Sequence, residues 1–270
     1  MKGNSLTAVI LQPAYLPWIG FFDLVHKADV FVIFDDAQFT IRDWRTRNRI
    51  RTNEGWIWLS VPVSLDKPYF EYLVKDVQIS YEYDWTYKHL STIKSFYKRS
   101  LFFDEVYSIL EKHIPKRYKF LAELDNQLIF DICEYLGLSL SKFRFSSEMG
   151  IPKSAKKSER LIYMLDSLDV KASYYLSGIT AKNYLDTSLF EDRGIKVLWH
   201  GYEHPYYNQN LWGTGVFISY LSILDILFNH GKEAMDIITG DKIIPIPEKV
   251  KIAMAEKSKN LKMHKEKVRL

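Results

Sequence analysis

Residues 7–36 alternate in a way that few folds accommodate. Residues 7–11 are apolar and predict a buried strand, a loop with two prolines follows at 12–18, and residues 21–27 and 30–34 predict an apolar helix and a second strand. Strand, constrained loop and helix in this order form a ligand cradle in α/β proteins, because the loop lies at the carboxyl end of the strand beside free helix N–H groups. We therefore expect the loop to form part of a ligand site.

The rest of the chain continues the alternation. Apolar segments followed by polar or glycine-bearing loops predict further strands, and a periodicity of three and four predicts helices between residues 84 and 136. The fold class expected is α/β, with a Rossmann-like, mostly parallel sheet and a helical insertion or subdomain. We divide the chain into 1–83 and 141–240, the two parts of the α/β domain, 84–140, a helical subdomain, and 241–270, a basic tail. The further strands are expected at 56–63, 74–79, 143–146, 173–176 and 196–199.

Composition excludes several function classes. The net charge is +4, and much of it falls after Pro247, so the body is near neutral and no nucleic-acid partner is expected. The one cysteine, Cys133, lies in an apolar stretch and is interpreted as a core residue, which leaves no disulfide framework. No apolar run suits a bilayer span and no signal peptide is visible, so we expect a cytoplasmic protein whose basic tail could touch acidic lipid. The oligomeric state is left open.

The loop carries the first candidate substrate-binding residues. Two prolines and Gly20 make it stiff and permit a close backbone approach, while Gln12, Tyr15 and Trp18 supply an amide and aromatic walls. The structural alternative is a turn packed by the two rings. Rigid loops at strand ends usually position something, which favours a binding role.

Two charged segments follow the second predicted strand. Asp35 and Asp36 end four apolar residues, and carboxylates at that position hold a metal, orient a sugar hydroxyl or take a proton; the alternative is a cap and a solvated residue. The run 42–49 contains four arginines, which bind phosphates or carboxylates bidentately, although charge runs are often only solvated surface. The substrate-binding candidates from this run are Trp44, Arg45, Arg47, Asn48 and Arg49.

Further candidates lie downstream. His89 shares a helical face with Trp85 and is a candidate base or an ordinary buried histidine. Ser177, Gly178 and Lys182 form a strand–glycine–helix junction that could cradle an anion. In the segment 200–209, His204 is a candidate general base, and Tyr207 and Gln209 are candidate substrate ligands. The glycine and proline there argue against a zinc site, so no metal ligand is predicted.

Several segments together resemble the WbqC-like protein family, found among bacterial surface-polysaccharide (O-antigen) genes. They follow one another in order across nearly the whole chain: 12–22, 29–39, 47–50, 58–63, 175–178, 204–209 and 221–229. The resemblance implies glycan assembly, by modification or transfer of a sugar precursor. One position departs from the family pattern, because Leu11 stands where the family usually has a histidine.

The function expected is that of a transferase of surface-polysaccharide biosynthesis, with N-acyl or aminoacyl transfer to a nucleotide-linked amino sugar. The partners implied are a sugar nucleotide and an activated donor, and the catalytic candidates are Asp35, Asp36, His204 and His89. Two alternatives stay open. One is a metal-dependent glycosyltransferase that uses the aspartate pair, with a divalent metal as cofactor. The other is a non-catalytic protein that binds nucleotide sugars.

Overall fold

The computed structural model describes residues 5–209, 216–248 and 250–252. The strands are β1 (Leu6–Leu11), β2 (Val30–Ile33), β3 (Arg47–Thr52), β4 (Gly55–Ser60), β5 (Val63–Ser64), β6 (Gln78–Ile79), β7 (Phe143–Phe145), β8 (Ala172–Gly178) and β9 (Lys196–His200). The helices are α1 (Ile19–Lys27), α2 (Trp85–Tyr97), α3 (Phe103–His113), α4 (Leu121–Tyr135), α5 (Lys157–Asp166), α6 (Ser188–Glu191), α7 (Ile223–His230) and α8 (Ala234–Thr239).

Five strands form one parallel sheet in the order β7-β2-β1-β8-β9. The predicted α/β class and mostly parallel sheet are confirmed. The chain runs outward from β1 through β2 to β7, and then returns to the other side of β1 with β8 and β9. The loops that leave β1 and β8 therefore diverge at the carboxyl edge, which is where doubly wound sheets bind ligands.

Both faces of the sheet are buried, as a parallel sheet requires. Successive β1 residues alternate between the faces: Ala8 and Ile10 join the core that α5 and α6 cover, whereas Val9 joins the larger core on the opposite face. That larger core also contains Phe22 of α1 and Leu227 of α7. Helices on the two faces thus hold the carboxyl edge in place.

The helices at 84–140 pack against the sheet. Asp84 caps α2 by accepting a hydrogen bond from the backbone N–H of Tyr87 at 3.0 Å, as its position before the helix predicts. Ile93 of α2 and Leu128 of α4 belong to the same buried cluster as Phe31 of β2. The helical block and the sheet consequently share one core, and the predicted domain boundaries stay a prediction.

Two predicted strands differ from the observed ones. The strand expected at 56–63 ends at Ser60, because Pro62 lacks the N–H group that would continue the ladder. The strand expected at 74–79 is a short 3-10 turn, Val74–Asp76, before the brief strand β6. Val74 and Val77 are both fully buried at a spacing of three, which suits a turn and would put them on opposite faces of a strand.

No helix in the described ranges is long and apolar enough to cross a bilayer. Most of the predicted basic tail, residues 253–270, lies outside the described residues, so its proposed contact with acidic lipid stays a prediction. The cytoplasmic location stays a prediction as well.

Candidate functional site

A cavity of about 940 Å³ opens at the carboxyl edge of the sheet, between the loops that follow β1 and β8. Gln12 and Trp18 line it from the β1 loop, Ser177 and Gly178 from the end of β8, and Asn48 from the start of β3. This is the switch point of the strand order, and the volume lies within the range of small-molecule sites. We therefore take it as the candidate site.

The β1 loop is fixed by hydrogen bonds from distant parts of the chain. Leu16 has a φ of +46°, an uncommon value for a residue with a side chain, and is fully buried. Its carbonyl oxygen accepts hydrogen bonds from Asn48 Nδ2 at 2.8 Å and from Ser222 Oγ at 2.9 Å. The Pro17 carbonyl accepts from the N–H of Ile223 at 2.8 Å. The loop is thus clamped between β3 and the start of α7, and its shape is set before any ligand binds.

Tyr15 supports the loop from behind and does not line the cavity. It is fully buried, and its hydroxyl is hydrogen-bonded to His89 Nδ1 at 2.9 Å. Burial lowers the pKa of His89 to about 4, so the imidazole is neutral at pH 7. Trp85 packs edge-on against the same ring, with 5.0 Å between the centroids. In this structure His89 acts as a buried partner of the loop.

Trp18 and Gly20 fit together at the start of α1. A Cβ atom at Gly20 would lie 2.3 Å from Cη2 of the Trp18 indole, so only glycine allows the ring to rest on the helix backbone. Tyr202 packs edge-on against the same indole, with 5.4 Å between the ring centroids. Trp18 is thereby held as a fixed wall of the cavity.

An ion pair and the side chain of Gln12 give the cavity its polarity. The Arg45 guanidinium binds the Asp43 carboxylate and Thr40 Oγ1, and both charged residues line the cavity. Burial lowers the pKa of Arg45, although Asp43 opposes that shift. Arg45 Nε and Gln12 Oε1 are buried and have no hydrogen-bond partner among the described residues. Both atoms are shielded from the cavity, so a ligand would meet the accessible parts of Gln12, Asp43 and Arg45 instead.

Sequence reasoning missed the opposite wall. Lys157 and Ser158 line the cavity from the start of α5, and Lys156, which precedes that helix, makes no side-chain cap. Helix N–H groups and a lysine in this position suit a phosphate. Tyr184 and Leu161 add an apolar side. The available signal was the basic run at 153–158 directly before a helical pattern.

The predicted substrate-binding residues divide into two groups. The residues that line the cavity are Gln12, Trp18, Trp44, Arg45, Asn48, Ser177 and Gly178. The others lie elsewhere. Arg47 and Arg49 are on the outer face of the β3–β4 hairpin, and Lys182 Nζ lies 5.5 Å from the centroid of the Trp199 ring.

Asp35 and Asp36 lie outside the cavity and connect β2 to the segment after β7. Ser146 Oγ lies 3.0 Å from Asp35 Oδ1 and 2.5 Å from Asp36 Oδ1. Ser147 Oγ donates to Asp35 Oδ2 at 2.7 Å, and Arg160 binds Asp36 Oδ2 at 2.5 Å. These contacts occupy the carboxylates. In addition, no group of three or more histidine, cysteine or acidic residues in the described ranges could hold a metal ion.

Tyr207 and Gln209 belong to a buried network around Asp225. The Tyr207 hydroxyl and Gln209 Nε2 each donate to Asp225 Oδ2 at 2.9 Å, and the Tyr97 hydroxyl donates to Oδ1 at 2.8 Å. Burial raises the pKa of Asp225 in spite of these bonds. The network joins α2 and α7 to the loop after β9, so both predicted ligands have structural partners here.

His204 also lies away from the cavity. Its Nδ1 is 2.9 Å from the carbonyl oxygen of Pro205, and burial lowers its pKa to about 4. Its other nitrogen, Nε2, is buried and has no partner among the described residues. The nearby His200 is bound instead to Asp23 of α1, with 2.6 Å between Nε2 and Oδ2.

Comparisons with known proteins identify a family. The model of the WbqC-like protein family matches residues 12–237, which include the β1 loop and most of the residues that line the cavity. A curated relative, "Uncharacterized protein Rv1507c" of Mycobacterium tuberculosis, is 36% identical over 228 residues, which cover 84% of this chain and 95% of the relative. No solved structure matches the chain.

Proposed function

The chain belongs to the WbqC-like protein family, and from this membership and the cavity at the sheet edge we propose a transferase that acts on a nucleotide-linked amino sugar. Membership suggests a function related to polysaccharide biosynthesis. The reaction proposed is N-acyl or aminoacyl transfer to the sugar nitrogen, in surface-polysaccharide (O-antigen) biosynthesis.

One observation carries the proposal: the cavity combines a phosphate-compatible wall with a polar wall and ring surfaces at the switch point of a doubly wound sheet. The start of α5 with Lys157 suits the phosphates of a nucleotide. Gln12 and the Asp43–Arg45 ion pair supply a polar lining for sugar hydroxyl or amide groups. Trp18 offers a ring edge or face to the sugar or base. The volume of about 940 Å³ accommodates a nucleotide sugar.

The chemistry requires a group that takes a proton from the amine. Among the described residues that line the cavity, Asp43 is the one carboxylate. In the proposed step the amine nitrogen attacks the acyl carbon, a C–N bond forms, the bond from that carbon to its leaving group breaks, and Asp43 transfers the amine proton to the leaving group. Asp43 is thus the base we propose, and the four predicted catalytic candidates do not line the cavity.

Thermal unfolding with a panel of UDP- and dTDP-linked amino sugars tests the binding step. A ligand at 100 times its dissociation constant stabilises the fold by roughly 2.7 kcal/mol. Gln12→Leu should weaken the binding of that ligand. Gln127→Leu, which changes an exposed residue of α4, should leave the binding unchanged. Asp43→Asn should retain binding and lose turnover. If no nucleotide sugar raises the melting temperature, the proposal is wrong.

One observation favours the non-catalytic alternative. Leu11, which stands where the family usually has a histidine, lines the cavity and places an apolar side chain there. A nucleotide-sugar binder would bind the same ligands without turnover on any acyl donor. The glycosyltransferase alternative is not favoured, because Asp35 and Asp36 do not line the cavity.

A further inference from the structure

The β3–β4 hairpin has a regular inner and outer face. Its antiparallel register pairs Arg49 with Trp58, and alternation along each strand puts Arg47 and Trp56 on the same side. Ile50 and Leu59 point the other way, and both are buried in the core. The inner side of the hairpin therefore packs into the core, and the outer side faces solvent.

The outer side exposes three indole rings. Trp44, Trp56 and Trp58 are 48%, 41% and 37% exposed, and the Trp58 centroid lies 5.6 Å from that of Trp44 and 5.4 Å from that of Trp56. Together with Arg47 and Arg49, these residues are called the tryptophan–arginine face below. Three exposed tryptophans in contact with one another are unusual on a protein surface that binds no ligand or partner.

The two arginines are held in place by ring and backbone contacts. The Cζ atom of Arg47 is 4.2 Å from the Trp58 centroid, and that of Arg49 is 5.0 Å from the Trp56 centroid. Arg47 Nη2 donates to the backbone carbonyl of Arg42, and Arg49 Nη2 donates to that of Tyr220. The Nε atom of each is buried, so a ligand would reach the arginines through their terminal nitrogens. The face thus presents fixed positive charge and flat rings.

The face is continuous with the cavity. Trp44 lines the cavity and belongs to the face. On the other side, the carbonyl of Tyr220 binds Arg49, and the Tyr220 ring lies 5.8 Å from that of Trp18, a second cavity wall. A molecule that lies along the face can therefore place one end at the cavity.

We propose that the tryptophan–arginine face binds the second substrate, an acyl donor that carries a purine nucleotide with several phosphates. The purine ring packs against the exposed part of Trp56, the phosphates bind Arg47 and Arg49, and the acyl end reaches the cavity past Trp44. The proposal rests on the proposed function, since it supplies the donor for that transfer. A neutral glycan would use the rings and leave the arginines unmatched, so charge complementarity favours an anionic donor.

Titration calorimetry and tryptophan emission with coenzyme A as the probe test the proposal. Binding should quench emission, weaken with rising salt as phosphate contacts require, and fall at least about tenfold in Arg47→Gln and in Trp56→Ala. Phe70→Ala, which removes an exposed aromatic ring elsewhere, is the matched control and should bind normally. Thermal melting shows whether each variant folds, and Arg47→Gln removes no packed ring.

The outcomes separate the two proposals. If nucleotide sugars bind and coenzyme A does not, the face has another role and only this inference fails. If coenzyme A binds to the face and no nucleotide sugar binds, the proposed function fails. If Arg47→Gln leaves coenzyme A affinity unchanged, the ligand lies elsewhere and the inference is overturned. Binding to vesicles that contain anionic lipid, lost in Trp56→Ala without any coenzyme A binding, would identify a membrane surface and also overturn it.

Discussion

The clamp on the β1 loop predicts a coupled loss of stability in a double-mutant cycle. Asn48 and Ser222 both donate to the carbonyl of Leu16, and both are almost completely buried. In either single variant that carbonyl keeps one partner. In Asn48→Ala/Ser222→Ala the buried Leu16 carbonyl has neither of these donors. The double variant should therefore lose more free energy of unfolding than the sum of the two single losses.

The expected sizes follow from the bonds removed. Asn48→Ala removes the hydrogen bonds to the Leu16 and Tyr15 carbonyls and the one that Asn48 Oδ1 accepts from the N–H of Arg49. The expected loss in free energy of unfolding is about 2–3 kcal/mol. Ser222→Ala also removes the cap that accepts from the N–H of Leu224, for about 1–2 kcal/mol. An orphaned buried carbonyl adds a coupling of about 1–2 kcal/mol in the double variant.

Urea unfolding monitored by far-UV circular dichroism measures the cycle, provided that the slope with denaturant is the same in all four proteins. Asp84→Ala is the control partner for Ser222→Ala, because it removes the cap of α2 and shares no hydrogen-bond partner with the clamp. That control cycle should be additive within about 0.5 kcal/mol. Additivity of the Asn48 and Ser222 losses would refute the clamp and the reasoning on the Leu16 carbonyl.

Three further predictions concern Gly20, Asp36 and His89. Gly20→Ala should displace the Trp18 indole and lower both the melting temperature and the affinity for a nucleotide sugar, whereas Gly201→Ala, whose Cβ would meet no atom within 4 Å, should change neither. Asp36→Asn should lower the urea midpoint and leave nucleotide-sugar affinity unchanged, since it breaks the ion pair to Arg160 outside the cavity; loss of affinity at normal stability would restore it as a site residue. His89, with its pKa lowered by burial from 6.5 to about 4, contributes stability above pH 6.5 that is lost as the pH falls toward 4, and His89→Gln should flatten the urea-midpoint profile over that interval.

The positions of the five parallel strands along the chain were predictable because their signals are local. Apolar runs, prolines and glycines fix each element within a few residues, and parallel strands need helices between them. The position of the β1 loop at the carboxyl edge followed from the same pattern. Strand β3 escaped prediction because its outer residues Arg47 and Arg49 resemble a charge run, although Asn48 and Ile50 alternate inward between them.

The site was less predictable, because its residues are sorted by contacts between distant parts of the chain. Tyr207 and Gln209 are of types that suit a ligand site, yet their partner Asp225 binds them into the core. Asp35 has the position expected of a metal ligand, but its partner Ser147 comes from the segment after β7, more than a hundred residues later. Nothing near either residue in the sequence indicates those partners.

The segments that resemble the family contain residues that hold loops in place and residues that line the cavity. Asn48, Tyr15 and Ser222 hold the β1 loop in an uncommon conformation, and Asp225 fixes the loop after β9, so much of the resemblance describes a scaffold. The cavity is completed by residues outside those segments, among them Lys157 and Tyr184. The shared segments fix the position of the loop and also supply Gln12, Trp18 and Asn48 to the cavity, and the residues outside those segments complete its walls. Substrate identity should therefore be sought by varying the walls at 157–161 and 180–185 on an unchanged clamp.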